Sequence, residues 1–126
     1  MKLFLLFSHV LTELQTEDAE KNLKIDEIIY MPDEIKEIWS NVNPEIFEEA
    51  KLNRIKIFLN KNSLKGDFVL IQGEWGFTYH MINYSKNIGL IPIYSTTKRD
   101  YREELQTDGT VKNIHYFKHI KYKEYI

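Results

Sequence analysis

The sequence predicts a small α/β domain in which a mainly parallel β-sheet is flanked by helices and followed by a C-terminal β-hairpin. Three observations lead to this fold class. Short apolar runs alternate with segments of helical spacing up to residue 99, the apolar runs show no polar alternation, and a turn separates two β-type stretches after residue 100. A chain of 126 residues accommodates one domain, so we assign residues 1–99 to the α/β core and residues 100–126 to the hairpin.

Four apolar runs are predicted as strands. Residues 3–7 form a continuous apolar run that a polar pair ends, which is typical of a strand buried on both faces of a parallel sheet. Residues 25–30, 68–71 and 90–94 give the same signal. Because helical segments lie between these runs, right-handed crossovers between parallel strands are expected.

The first two helices are short. Thr12 followed by Gln15 matches a capping box, which predicts a helix over residues 13–22. Residues 33–39 follow a proline and form a second short helix.

The clearest amphipathic helix is predicted to begin at residues 43–45, because Asn-Pro-Glu supplies an N-cap, a first-turn proline and an acid. Apolar side chains then recur at three- to four-residue steps, at Ile46, Phe47, Ala50, Ile55, Phe58 and Leu59. A last helix runs from about Phe77, and Gly89 is suited to cap its C-terminus.

The C-terminal segment changes to strand periodicity. Residues 101–106 and 111–122 flank Thr-Asp-Gly-Thr at 107–110, which predicts an antiparallel hairpin, although residues 101–105 also fit a short helix. We expect this hairpin to serve as a dimerisation or lid element. Its lysines are either a contact for another protein or a solvated edge that resists aggregation.

Composition excludes several classes of function. The chain has no cysteine, so disulfide scaffolds and thiolate chemistry are excluded. A net charge of −2 argues against binding to duplex nucleic acid. The apolar run at the N-terminus is too short for a signal peptide or a membrane helix, so we expect a soluble cytoplasmic protein without membrane contact. No cofactor is predicted. No metal site is predicted either, because His115 and His119 have no nearby third ligand.

Three polar segments follow predicted strands and should meet at one edge of the sheet, where open α/β sheets bind ligands. They are Ser8-His9, residues 72–78 and residues 95–99. His9 is either a general acid or base or a residue that only bonds the backbone.

Residues 72–78 form a loop that leads into a helix. The loop either presents free backbone N–H groups to a phosphate, with its glycines allowing close approach, or is a plain strand-to-helix turn. Trp75 can stack on a base, whereas Phe77 fits the core and His80 is expected at the surface. The predicted ligand contacts in this loop are Gln72, Gly73, Glu74, Trp75, Gly76 and Thr78.

Residues 95–99 place three hydroxyls and two cations after a strand. Such a run is either a phosphate site or a solvated polar turn. The candidate residues are Ser95, Thr96, Thr97, Lys98 and Arg99.

Five segments together resemble the Csx-twenty family, which are small accessory proteins of type III CRISPR systems. The likeness extends over nearly the whole chain, and it is specific in combination rather than in any one segment. The segments are residues 1–9 (MKLFLLFSH) with Leu11-Thr12, 38–41 (IWSN), 69–76 (VLIQGEWG), 91–99 (IPIYSTTKR) and 117–119 (FKH).

This resemblance implies a Rossmann-like (CARF-like) domain that binds cyclic tetra-adenylate and cleaves it as a ring nuclease. In a metal-independent reaction of this kind, a ribose 2′-hydroxyl attacks the adjacent phosphorus and leaves a 2′,3′-cyclic phosphate. His9, Thr97 and Arg99 are then the expected catalytic residues. Ser8, Ser95, Thr96, Lys98 and the six loop contacts named above are expected to bind the substrate. A ring with near four-fold symmetry suits a homodimer. The alternative is a protein that binds the ring without cleaving it.

Overall fold

The computed structural model describes residues 1–126 and contains five strands and four helices. The strands, β1 to β5, are Lys2–Leu6, Glu27–Tyr30, Phe68–Ile71, Ile91–Leu105 and Val111–Glu124. The helices, α1 to α4, are Glu13–Asn22, Asp33–Ser40, Glu49–Asn62 and Trp75–Asn87. None of these helices has both the length and the apolar character that crossing a membrane requires.

The strands form one sheet in the order β2-β1-β3-β4-β5. The first four are parallel, and β5 pairs antiparallel with β4 at the edge. The prediction of a mixed α/β fold with a mainly parallel sheet is therefore confirmed. Since β1 and β3 lie at the centre, the polar segments that follow them emerge at the same sheet edge.

The sheet separates two apolar clusters, which explains why β1 and β3 are apolar without alternation. Phe4, Leu6 and Val69 pack with side chains of α2, α3 and α4 on one face. Leu3, Leu5 and their neighbours pack with Ala19 of α1 on the other face. Successive side chains of a strand point to opposite faces, so both sets of positions are buried.

Helix α1 begins as its capping residues predict. The Thr12 hydroxyl accepts a hydrogen bond from the Gln15 backbone N–H at 3.2 Å, and the Gln15 side chain accepts one from the Thr12 N–H at 2.9 Å. This reciprocal pair satisfies two N–H groups that the helix itself leaves unpaired. The predicted span of 13–22 is confirmed.

Helix α3 begins at Glu49, so the predicted start at residues 43–45 is wrong. The Asn43 side chain accepts hydrogen bonds from the N–H groups of Glu45 and Ile46, which holds this segment in a local turn rather than in a helix. Ile46 and Phe47 are exposed and do not belong to the buried face of the helix.

Strand β4 does not end at residue 94 as predicted, but continues to Leu105. Its pairing with β3 ends at Ile93, one residue before the end of the apolar run, and β5 is the only strand that pairs with it beyond that point. Residues 95–99 are therefore part of a strand and not a loop. We call residues 97–105 and 111–119, which pair only with each other, the arm.

Gly89 follows α4 with a φ of 82°, a left-handed conformation that favours glycine. The prediction that it ends this helix is confirmed, because α4 stops at Asn87.

Candidate functional site

The largest cavity lies between the arm, the first turn of α1 and the segment that follows β1. Its volume is about 590 Å³, within the range of roughly 300–1,000 Å³ typical of ligand pockets. We call it the arm cavity. It is lined by Phe7, His9, Val10, Thr12, Leu14, Gln15, Thr97, Tyr116, Phe117, Lys118 and His119.

The arm presents cationic and aromatic side chains on the same face as the cavity. Thr97 pairs with His119 and Arg99 with Phe117, so these four residues share one face of the two-stranded arm. Tyr101 continues this face and lies against His115, with ring centroids 5.9 Å apart. Phe117 is 70% exposed and Tyr101 is 63% exposed, so both rings are available to a flat ligand.

Lys98 occupies the opposite face of the arm because it alternates with Thr97 and Arg99. The structure therefore separates Lys98 from Thr97 and Arg99, its neighbours in the predicted polar run. Thr96 is also committed elsewhere: its hydroxyl donates a 2.7 Å hydrogen bond to the Lys121 carbonyl across the strand pair.

A buried chain of hydrogen bonds lies behind one wall of the arm cavity. Asp18 Oδ2 is 2.7 Å from His119 Nε2, and His119 Nδ1 is 2.5 Å from Ser95 Oγ. Gln15 Nε2 donates to the same hydroxyl at a longer distance of 3.4 Å. The chain joins α1, β4 and β5, and its histidine and serine are both buried.

Asp18 is held as a carboxylate by its surroundings. Burial disfavours its charge, but hydrogen bonds from Asn22, His119 and the Tyr122 N–H outweigh that effect, so the pKa of Asp18 is lowered. Because the carboxylate accepts from Nε2, that nitrogen of His119 carries the proton and Nδ1 accepts from the Ser95 hydroxyl.

The same network fixes Tyr122 beneath α1. Its hydroxyl donates to the Gln15 carbonyl at 3.1 Å. Burial, followed by the negative charges of Asp18 and Tyr30, raises the pKa of Tyr122 strongly, so the phenol stays neutral.

The N–H groups at the start of α4 are not all free, as the phosphate-binding interpretation of the loop after β3 requires. The Glu74 carboxylate accepts hydrogen bonds from the N–H groups of Gly76 and Phe77, at 2.8 and 3.0 Å. Two of the N–H groups expected to face a ligand are thus occupied by a capping side chain of the protein itself.

Gly73 of this loop has a packing role. A Cβ on Gly73 would lie 2.6 Å from the Trp39 indole, whose Nε1 donates to the Gln72 carbonyl at 3.1 Å. Neither Gly73 nor Gly76 has a positive φ, so a substitution strains the backbone at neither position.

Two other predicted ligand contacts, Gln72 and Ser8, form hydrogen bonds within the protein. The Gln72 side chain accepts a 2.7 Å hydrogen bond from the Ser95 N–H, which links the end of β3 to a residue within β4. The Ser8 hydroxyl accepts one from Ser40 at 3.2 Å. Both groups thus bind the protein's own atoms.

A second depression, the α4 groove, has a volume of about 440 Å³. Trp75 borders it and is 90% exposed, whereas the Thr78 hydroxyl is buried there without a partner. Of the predicted site residues, His9 and Thr97 line the arm cavity. The α4 groove is lined by Gln72, Gly73, Trp75 and Thr78, together with Tyr79, Ile82 and Tyr125.

Three members of the buried hydrogen-bond chain have no role in the prediction from the sequence. They are Asp18, Gln15 as a partner of Ser95, and His119 as a partner of Asp18. Asp18 is 101 residues from His119 along the chain, so no local spacing signals their contact. The predictions that Phe77 is buried and His80 exposed are confirmed. No group of three His, Asp or Glu side chains is placed to hold a metal ion.

Fold and cavity define a small mixed α/β protein with a ligand-sized cavity beside an antiparallel arm. The chain belongs to the family described as "Uncharacterized protein MJ1673 family", whose model matches residues 1–123. It is 49% identical over 125 residues to "Uncharacterized protein MJ1673" of Methanocaldococcus jannaschii. The matched region covers 98% of this chain and 96% of that protein. No solved structure matches the chain.

Proposed function

We propose that this protein is a metal-independent ring nuclease that binds cyclic tetra-adenylate in the arm cavity and cleaves it to linear products with 2′,3′-cyclic phosphate ends. The proposal rests on the resemblance to the Csx-twenty family and on one structural observation. A single cavity of about 590 Å³ combines two histidines with aromatic, hydroxyl and lysine residues. Cleavage by a 2′-hydroxyl requires alignment, neutralisation of charge and proton transfer, and these side chains suit all three tasks.

The arm offers two aromatic side chains on which adenine rings can stack. Phe117 and Tyr101 offer exposed aromatic faces, and stacking on such a ring stabilises a bound base by about 1–3 kcal/mol. The two residues lie on the face that also carries Thr97 and Arg99, so a stacked base brings its phosphate close to these polar groups.

Arg99 supplies the charge for the phosphate. It is exposed and forms no ion pair within the chain, so its guanidinium is free to bind two phosphoryl oxygens. Lys118 borders the cavity but shares the opposite face of the arm with Lys98, so Arg99 carries the positive charge on the cavity face. Glu74 and the N–H groups that it caps take no part in this model of binding.

A Rossmann-like (CARF-like) domain of this kind acts as a homodimer in the cytoplasm in our proposal. A ring of four nucleotides is compatible with two-fold symmetry, and two copies of the arm cavity then each hold half of it. The exposed apolar side chains of the arm, among them Leu105 and Val111, offer surface for such an assembly.

The proposal is tested by incubating the purified protein with cyclic tetra-adenylate in excess EDTA and separating the products by chromatography. We expect linear adenylates with cyclic phosphate ends. A tightly bound but intact ring supports the alternative, a protein that sequesters the nucleotide without cleaving it. Absence of binding contradicts both.

Variants of two arginines on the arm test the location of the site. Arg99→Ala should reduce cleavage about ten- to a hundredfold, since losing a hydrogen bond to a charged group costs roughly 1.5–3 kcal/mol. Arg102→Ala is the matched control because Arg102 lies on the other face and pairs with Glu104. Equal rates for the two variants contradict a phosphate site on the cavity face.

A further inference from the structure

We propose that Ser95, His119 and Asp18 form a proton relay that activates the attacking hydroxyl of the substrate. The relay deepens the proposed function and rests on it, because it serves the same cavity and the same cleavage step. It assigns roles to Asp18 and His119, and it leaves to His9 the role of general acid.

The three groups have the connectivity of a relay. Ser95 Oγ lies 2.5 Å from His119 Nδ1, and His119 Nε2 lies 2.7 Å from Asp18 Oδ2. The carboxylate fixes the tautomer of the imidazole and stabilises the charge that the ring acquires on taking a second proton. The side chain of His119 is only 3% exposed, so little water competes for these bonds.

The buried Ser95 hydroxyl lies behind two residues that line the arm cavity, so the substrate must displace one of them to reach it. Gln15 and His119 both line the cavity, and both contact Ser95 Oγ. The Gln15 amide donates to this oxygen at 3.4 Å, a long and weak hydrogen bond. A substrate hydroxyl that replaces the Gln15 amide donates its proton to the same oxygen.

The relay and His9 together account for the proton transfers of the cleavage step. The ribose 2′-hydroxyl transfers its proton to Ser95 Oγ while Ser95 transfers its own to His119 Nδ1. The 2′-oxygen forms a bond to the adjacent phosphorus, and the bond from phosphorus to the 5′-oxygen breaks. His9, exposed at the cavity wall, supplies the proton that the leaving oxygen takes up.

Several other groups surround His119 and bear on the pH dependence. Helix α1 contributes Asp18, together with Glu17 and Lys21, which share a shallow depression with His119. Its own strand contributes Lys118 and Tyr122, whose ring lies 4.6 Å from the imidazole between centroids. The segment after β1 contributes His9. Of these groups, Asp18 alone is hydrogen-bonded to the imidazole.

The test measures single-turnover cleavage of cyclic tetra-adenylate against pH for Ser95→Ala and His119→Gln. We expect the rate at saturation to fall at least about a hundredfold and to lose its rise with pH, since general base catalysis contributes about 10²–10⁴. Affinity, measured with a ring of 2′-deoxyadenylates that lacks the attacking hydroxyl, should stay within about threefold of wild type.

Two matched controls separate a relay from a structural role. Ser85→Ala removes the hydroxyl of another buried serine, and His80→Gln replaces an exposed histidine of α4, outside the arm. Both should cleave with the wild-type pH profile. Thermal unfolding identifies any variant that is not folded, and in that event Asp18→Asn, which keeps the side-chain shape, is measured in its place.

The outcomes distinguish the two proposals. A wild-type protein that leaves the ring intact overturns the proposed function and the relay with it. Cleavage by wild type, together with an unchanged rate and pH profile in folded Ser95→Ala and His119→Gln, overturns the relay alone. A loss of rate with an unaltered pH profile also overturns it, because that result indicates a packing role.

Discussion

Replacing Asp18 with alanine removes the acceptor that ties helix α1 to the root of the arm. Asp18 Oδ2 accepts from His119 Nε2 at 2.7 Å and from the Tyr122 N–H at 3.0 Å. Both donors come from β5, and the variant leaves both without a protein acceptor. We therefore expect Asp18→Ala to destabilise the fold.

The size of the effect follows from these two donors. A buried donor that loses its acceptor costs about 1–3 kcal/mol, which gives roughly 2–6 kcal/mol for the pair. The Asp18 side chain is 11% exposed, so water reaches part of the vacated space and reduces the expected loss to about 2–4 kcal/mol. This is a large part of the roughly 5–15 kcal/mol that stabilises a typical domain.

The effect should also depend on pH. The pKa of Asp18 is lowered in the folded protein, so its carboxylate stabilises the fold above the ordinary value of 3.8. That contribution is lost as the pH falls through the lowered folded pKa. The difference in stability between wild type and Asp18→Ala should therefore be constant from about pH 5 to 7 and shrink below about pH 4.

Urea denaturation followed by circular dichroism measures this difference. With an m-value of about 2 kcal/mol/M, the midpoint should fall by about 1–2 M. Asp108→Ala is the control, because Asp108 also accepts two hydrogen bonds, from Thr110, but lies in an exposed turn. A midpoint for Asp18→Ala equal to that of the control would refute the anchoring role of the network.

Three further substitutions have expected outcomes, each measured by urea or thermal denaturation. Glu74→Ala should destabilise the fold by about 1 kcal/mol, because it removes the cap of α4; an unchanged midpoint contradicts this role. Gly73→Ala should cost about 1–3 kcal/mol by displacing the Trp39 indole, whereas in Gly76→Ala the added Cβ meets only the Glu74 carboxylate, at 3.2 Å, so equal losses refute the packing argument. Tyr122→Phe should cost about 1 kcal/mol at pH 7. Because the pKa of Tyr122 is raised in the fold, wild type should lose this stability as the pH rises above about 10, and a constant difference up to pH 11 contradicts it.

The sequence by itself determined the elements whose signals are local. The capping box at Thr12 and Gln15 fixed the start of α1, and the apolar runs located β1 and β3 because both of their faces are buried. Gly89 marked the end of α4, since its left-handed conformation favours glycine. Each of these signals depends on residues within a few positions of one another.

Local patterns were misleading where a competing interaction decided the outcome. Asn43 resembles a helix N-cap, yet its side chain bonds the next two N–H groups and delays α3 to Glu49. Residues 95–99 resemble a loop because they are polar, yet pairing with β5 keeps them in a strand. Polar composition reports exposure to water, and an exposed arm of two strands has the same composition as a loop.

Only the tertiary structure decided which groups meet. It brought Asp18 of α1 to His119 of β5 and placed the Ser95 hydroxyl against the same imidazole. It also gave the N–H groups of Gly76 and Phe77 to Glu74 rather than to a ligand. A hydrogen bond depends on distances of about 3 Å, and sequence spacing does not determine these distances between elements that are far apart along the chain.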